Sequence, residues 1–272
     1  MTLLTLDQAA AQAPAEVGGK ARGLARLAGL GLPVPDALVL PASAHGRWLR
    51  DRRLARSQVQ QMWRDAAALG LPLAVRSSAA DEDGTERSAA GQYESVMDVR
   101  SADGLAAAVE RCYRSADGSR AGSYRASPGP GAVAVVVQRE IEAQRAGVAF
   151  SLDPVSGSRE CVVIEAVFGH GEGIVSGELA PDRYLVSRRD DAVRARVADK
   201  PSLADGRGRL HALAEQRRTA RVLRDHEARS VAELVIAAER GFATPVDVEF
   251  CLRGETLWLL QCRPITALDG TV

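Results

Sequence analysis

The sequence predicts a mixed α and β chain folded in two lobes. Two observations carry this. The first half is dominated by apolar residues at helical spacing, and the half beyond residue 131 by compact apolar runs of strand length parted by turn residues. A third observation places the divide, because Ser115 to Gly131 is rich in Ser, Gly, Pro and Arg and reads as a connecting loop. The expected lobes are residues 1–130 and 131–272.

In the first lobe, Val17-Gly18-Gly19-Lys20 precedes Ala21, Leu24, Leu27 and Ala28 at helical spacing, and Gly31 and Pro33 stop that helix. Ala37 to Leu40 is short enough for a strand, Trp48 to Leu69 reads as one charged, Ala-rich helical stretch, and Leu73 to Val75 opens another strand. In the second lobe the strands are Ala132 to Val137, Gly147 to Phe150, Cys161 to Val167 and Arg183 to Val186. Ser230 to Arg240 returns to helix. Ser230 and Glu233 are spaced as a capping box, Val231, Leu234, Val235 and Ala238 form an apolar face, and Gly241 is the stop.

Composition narrows the function classes. Thirty-five basic residues balance thirty-five acidic ones, so no global field draws nucleic acid or an anionic membrane. Cys112, Cys161, Cys251 and Cys262 contain no Cys-x-x-Cys pair, which argues against a zinc knuckle or a thioredoxin-like site and leaves reduced thiols. No basic-then-apolar leader opens the chain, and no apolar run approaches the ~20 residues of a membrane span. The expectation is a soluble, cytoplasmic protein with no membrane or nucleic-acid partner.

The most informative stretch is Pro245 to Pro264, two alternating runs around Arg253-Gly254-Glu255, which reads as a hairpin. With those three residues as the loop, Asp247, Glu249, Gln261 and Arg263 project from one face, and Val248, Phe250, Trp258 and Leu260 from the other into a core. Two carboxylates and an amide oxygen are hard oxygen ligands suited to Mg²⁺, and the guanidinium beside them is a fork for phosphate oxygens. A half-solvated hairpin with an incidental ion pair would show the same alternation.

Three further segments carry chemistry. Lys20 stands where a helix begins after two glycines, so backbone N–H groups and an ammonium could converge on an anion, although the spacing of a P-loop is absent. Leu73-Ala-Val-Arg76-Ser77-Ser78 puts an arginine at a strand end ahead of the acidic Asp81-Glu82-Asp83, and the small residues of Ser88 to Ser95 allow close backbone approach to phosphates. Val135 to Ile141 runs from an apolar strand into a polar connector whose backbone could pair with a base edge. Gly169-His170-Gly171-Glu172-Gly173 is not a dinucleotide motif, because the residues after it do not propagate a helix.

These motifs, in order from Gly18 to Thr266, resemble the nucleotide-binding domain of the phosphoenolpyruvate synthase and pyruvate phosphate dikinase family, in standalone form. The carriers are Gly18-Gly19-Lys20, Arg76-Ser77-Ser78, Gly91-Gln92-Tyr93-Glu94-Ser95, Gly147 to Pro154, the turn through Pro181-Asp182, and Asp247-Val-Glu249 with Leu260-Gln261-Cys262-Arg263-Pro264. The resemblance implies a two-lobed ATP-grasp fold with nucleotide bound between a phosphate-binding N-terminal lobe and an adenine- and Mg-binding C-terminal lobe. It implies that Lys20, Arg76 and Arg263 meet the phosphates and are catalytic, and that the loop from Gly91 to Ser95 covers the triphosphate. Gln138, Glu140 and Ile141 then meet adenine, and Glu249 and Gln261 hold Mg²⁺ with Asp247 in support. Ala21 stands where the family often has Gly or Asn, Ser95 replaces the more usual Thr, and the stretch between Lys20 and Arg76 is short for the family. Glu172 is structural or touches metal.

Family members pass a phosphoryl group from ATP to a histidine on a swivelling domain. His45, His170, His211 and His226 lack that histidine's glycine-rich Thr/Ser-His setting, so the resemblance implies the ATP half-reaction alone, with a separate phosphohistidine carrier and acceptor-binding domain or protein as partner. Two rivals stay open: an ATP-grasp ligase acting through an acyl phosphate, and a non-catalytic ATP-sensing subunit.

Overall fold

The structure, a computed structural model, describes residues 2–80, 94–121, 132–175 and 177–265. Gly91, the Asp81 to Asp83 trio and Thr266 lie outside the described residues. The chain divides into two compact units, one of residues 1–29 and 35–140, the other of residues 30–34 and 141–272. The α and β, two-unit architecture is the one expected. The division falls at Glu140/Ile141, not at 130/131.

Unit 1 holds β1 (Leu4–Thr5), α1 (Leu6–Ala10), α2 (Pro14–Gly29), β2 (Ala37–Leu40), α3 (Ala42–Asp51), α4 (Arg56–Ala67), β3 (Leu73–Ser78), β4 (Ser95–Val99), α5 (Ala102–Ala121) and β5 (Ala134–Arg139). Its antiparallel sheet has the order β1-β2-β5-β3-β4. β5 belongs here because it is central, paired with β2 on one side and β3 on the other. Leu40, Leu73, Val75, Val135 and Val137 point to one face and pack with Trp48, Met62, Leu105, Val109 and Cys112 of α3, α4 and α5. α2 lies against β3 and β5.

Two expectations fail in unit 1. The stretch from Trp48 to Leu69 is two helices, broken where Arg52 takes a left-handed φ of 54° and caps α3 through its N–H to the Trp48 carbonyl. Part of the expected loop from Ser115 is helix, because α5 continues to Ala121.

Unit 2 holds β6 (Arg145–Phe150), β7 (Cys161–Phe168), α6 (Glu172–Val175), β8 (Asp182–Ser187), β9 (Val193–Arg196), β10 (Ser202–Ala204), β11 (Leu210–Ala212), α7 (Glu215–Arg218), α8 (Asp225–Phe242), β12 (Val246–Arg253) and β13 (Thr256–Pro264). Six strands pair antiparallel in the order β13-β12-β6-β7-β8-β9, and β10 pairs with β11. α8 packs on β12, β7, β6 and β8, with Val231, Val235, Val248 and Phe250 among its buried residues. It begins at Asp225, ahead of the expected Ser230. Gly241 is not its stop: a Cβ there would stand 2.1 Å from Leu30 Cδ1, and the left-handed cap is Ala243. Leu30 is part of the short stretch that joins unit 2, where the Pro33 carbonyl also accepts from Leu259 N–H at 2.8 Å.

A buried polar staple secures β8. Asp182, fully buried, bonds Lys200 Nζ at 2.6 Å and accepts from Tyr184 Oη and from the N–H groups of Ala198 and Val222. Every lone-pair direction of this carboxylate has a donor, which is the condition for keeping a charge inside.

Candidate functional site

In unit 1 the residues named from the sequence gather at the end of β3. Gly18 interrupts α2 with φ 76° and ψ 173°. Just after it, Gly19 N–H donates to the Ala79 carbonyl at 2.8 Å and Ala21 N–H to Ser78 Oγ at 3.1 Å, while Ser78 Oγ donates to the Val17 carbonyl at 2.8 Å. The helix start is thus clamped to β3. This alters the expectation of an N-terminal anion nest, since the amides of Gly19 and Ala21 serve the clamp.

Arg76 lies on β3 between Val136 of β5 and Ser95 of β4. Period-two alternation puts Arg76 with Ala74 and Ser78 toward α2, opposite the Leu73 and Val75 face. Lys20, Arg76 and Ser95 are therefore held by neighbouring segments of one unit. Burial pushes the Cys112 thiol up to about 12, Glu94 adding to the rise while Lys20 and Arg111 oppose it, so the thiol stays protonated.

The side chains of the connector are engaged within the protein. Gln138 is buried, its backbone paired with Ala37 and Ala74 and its Nε2 donating to the Pro35 carbonyl at 3.5 Å. Glu140 is buried too, and its Oε2 accepts from Asp98 N–H at 2.6 Å, where Asp98 has a left-handed φ of 56°. Both polar side chains hold the framework of unit 1. Ile141 packs in unit 2 with Ala146 and Cys251, joined by Ala143, Trp258 and Leu260.

The hairpin of unit 2 brings together all four residues read from it, by a route the sequence did not show. Its turn is Gly254-Glu255, with Arg253 opposite Thr256, so the expected three-residue loop is wrong. A two-residue turn alone would set odd beside even residues. The register then shifts between Phe250↔Leu259 and Glu249↔Gln261, leaving Leu260 as a bulge. That one extra residue sets odd beside odd again and pairs Glu249 with Gln261 and Asp247 with Arg263. It also corrects the other face: Leu259 and Cys262 are the core residues, while Trp258 and Leu260 stand on the face of Cys251, Glu249 and Asp247.

Arg263 Nε donates to Asp247 Oδ2 at 2.6 Å, which aims the half-exposed guanidinium. Gln261 is 4% exposed, and its Oε1 has no hydrogen-bond partner among the described residues. A buried amide oxygen without a donor is costly unless something electropositive reaches it. Beside the Glu249 carboxylate it forms a hard-oxygen pair of the kind Mg²⁺ takes, so the residues fit that ion. The apolar wall continues directly from this pair through Leu260, Trp258, Cys251, Ala146 and Ile141.

The family profile described as pyruvate phosphate dikinase, AMP/ATP-binding domain, matches residues 56–271. The chain belongs to that family. The match begins after Lys20 and includes Arg76 and the whole hairpin. Among curated relatives, the prodigiosin synthesizing transferase PigC of Serratia marcescens is 33% identical over 93% of this chain and 32% of its own length. A probable phosphoenolpyruvate synthase of Methanocaldococcus jannaschii is 29% identical over 92% of this chain and 25% of its own length. The rifampicin phosphotransferase of a Streptomyces species is 35% identical over 72% of this chain and 23% of its own length. The chain thus spans a third or less of these relatives. Among solved structures, a D-alanine–D-alanine ligase from Bacillus anthracis aligns over 92% of this chain and 58% of its own, with a TM-score of 0.45 and 10% identity. Among the described residues no helix is long and apolar enough to cross a membrane.

The sequence reading missed Ser78, the residue that clamps the Lys20 helix, and the apolar half of the hairpin face. Ser78 was visible as the second serine of Arg76-Ser77-Ser78. The wall was hidden by the bulge.

Proposed function

We propose that this chain is the ATP-binding part of a phosphotransferase, and that it energises a histidine on a separate carrier domain or protein. The observation that carries the reading is the hairpin face, where Glu249 pairs with Gln261 and Asp247 with Arg263, and where the buried Gln261 oxygen lacks a donor. Membership of an AMP/ATP-binding family supports ATP as the ligand.

Glu249 and Gln261 would hold Mg²⁺, which when bound offsets charge on the phosphate oxygens. Asp247 orients Arg263, whose planar guanidinium is the proposed contact for phosphate. Lys20 and Arg76, which neighbouring segments of unit 1 hold together, are the proposed phosphate cations of that unit. Phosphoryl transfer asks for little covalent help from the protein, so placing these charges is most of the catalytic work. The carrier imidazole nitrogen attacks the β-phosphorus, the bond to the bridging oxygen of the α-phosphate breaks, and AMP leaves; the γ-phosphate departs as inorganic phosphate on hydrolysis.

Calorimetry of ATP binding with and without Mg²⁺, on wild type, Lys20→Ala and Glu249→Ala, tests the binding, and an assay for AMP and ADP with candidate histidine carriers tests the chemistry. Tight Mg²⁺-dependent binding weakened by both substitutions, with AMP formed only when a carrier is present, is the expected result. Folded wild-type protein that binds no nucleotide would sink the reading, and ADP formed in response to a carboxylate and an amine would replace it with a ligase.

A further inference from the structure

The face of the unit 2 sheet that bears Glu249 and Gln261 carries a further carboxylate with no role so far. Register across β13, β12, β6, β7 and β8 sets Gln261, Glu249, Val148, Glu165 and Arg183 side by side in one row. Direct cross-strand partners share a face, so Glu165 stands on the same side as the candidate Mg²⁺ ligands. It is half-buried, and among the described residues it makes no hydrogen bond or ion pair through its side chain. Its neighbour Arg183 turns instead to Asp153 Oδ2 at 3.2 Å. A carboxylate kept partly from water without a donor is unfavourable, and a ligand that brings donors relieves it. The same row ends in the buried, unpartnered Gln261 Oε1, so two acceptors of one row lack donors on one face.

The adjoining rows identify the ligand group. On one side of this row lie Cys251, Ala146, Trp258 and Leu260, the apolar wall; on the other lie Asp247 and Arg263, the phosphate fork. A nucleoside triphosphate with its base on the wall and its phosphates toward Arg263 has its sugar over the middle row. Glu249 and Glu165 are separated by the one strand that bears Val148, roughly 10 Å of backbone, which leaves room for a furanose ring. An anionic group at that place repels phosphate oxygens and attracts hydroxyls, and the two oxygens of a carboxylate match a vicinal diol. We propose that Glu165 accepts hydrogen bonds from the ribose 2′- and 3′-hydroxyls and makes this chain selective for ribonucleotides over deoxyribonucleotides. The assignment rests on the reading of the chain as an ATP binder.

The test is calorimetry of ATP, 2′-deoxy-ATP and 3′-deoxy-ATP in Mg²⁺ with wild type, Glu165→Gln and Glu165→Ala, after circular dichroism has established that the variants fold. Wild type should bind ATP roughly tenfold or more tighter than either deoxy analogue, the ratio expected for hydrogen bonds to a charged acceptor. Glu165→Ala should weaken ATP most and each deoxy analogue less, because each analogue keeps one hydroxyl for Glu165, so that the three nucleotides bind the variant with nearly equal affinity. Equal binding of the three nucleotides by wild type overturns the proposal without any variant, as does an equal weakening of all three in Glu165→Ala. Retained ribose discrimination with an altered Mg²⁺ dependence also overturns it, assigning Glu165 to a cation. Wild type that binds none of them defeats the nucleotide reading itself, an outcome distinct from the others.

Discussion

Gly18→Ala tests the clamp that positions Lys20. At φ 76° an L-residue is strained by roughly 1–2 kcal/mol, and the new Cβ would stand 2.2 Å from the Ser78 carbonyl oxygen and 2.4 Å from Ser78 Oγ. The carbonyl oxygen is backbone and Ser78 Oγ is held by two hydrogen bonds, so relief requires the segment from Val17 to Ala21 to lift from β3. That movement weakens three hydrogen bonds, Gly19 N–H to Ala79, Ala21 N–H to Ser78 Oγ and Ser78 Oγ to Val17, each worth about 1 kcal/mol. The combined loss is about 3–5 kcal/mol, a large part of the stability of an ordinary domain. Urea denaturation should show it as a lowered midpoint, and calorimetry should show Mg-ATP affinity reduced at least tenfold as Lys20 moves. Gly46→Ala is the control. Gly46 lies in α3 with nothing within 4 Å of a new Cβ, so alanine there should be neutral or stabilise by about 0.5–1 kcal/mol. A Gly18→Ala protein that loses less than about 1 kcal/mol and binds like wild type would refute the clamp.

Three other perturbations probe different parts of the chain. Lys200→Met leaves the Asp182 charge buried without its cation and should cost about 3–5 kcal/mol in urea denaturation, partly restored by Asp182→Asn in the same chain. Asp247→Asn removes the charge that aims Arg263 and should weaken Mg-ATP binding severalfold with less than about 0.5 kcal/mol change in stability, because the guanidinium is 42% exposed; a large stability loss would contradict a positioning role. At Glu227, burial pushes the carboxyl up but the hydrogen bonds from Arg224 and from Arg145 outweigh it and hold it down to about 2. A folded-state value below the ordinary 4.5 means that this stabilisation is present above pH 4.5 and is lost as pH falls toward 2, and Glu227→Gln should flatten that part of the acid unfolding profile.

What the sequence shows of the fold follows from where apolar residues concentrate. β5 to β8 are compact apolar runs bounded by turn residues, buried strands of a kind that leaves a strong local signal. β9 and β11 do not, because they are short and mostly exposed, with Arg194, Arg196 and His211 along them. The break between α3 and α4 was invisible because it is made by Arg52 in a left-handed conformation, with neither Gly nor Pro to announce it. The start of α8 was misplaced for a similar reason. Ser230 and Glu233 have the capping spacing, but the cap is Arg224, whose N–H is met by Glu227 Oε2 reaching back at 2.8 Å.

The hairpin shows how a site can be legible while its geometry is not. Asp247, Glu249, Gln261 and Arg263 share a face because of a two-residue turn and a bulge, and the two shifts in parity cancel. A three-residue loop with no bulge places the same four residues on the same side, so side-chain alternation near the strand ends cannot distinguish the two structures. They differ in the residues close to the turn. Only the bulged hairpin turns Trp258 and Leu260 to the face of Glu249 and sends Leu259 into the core, while Cys262 faces the core in either. The bulge therefore does more than restore register: it sets Trp258 and Leu260 as an apolar surface beside Gln261 on one strand, the juxtaposition on which the proposed base and cation contacts depend.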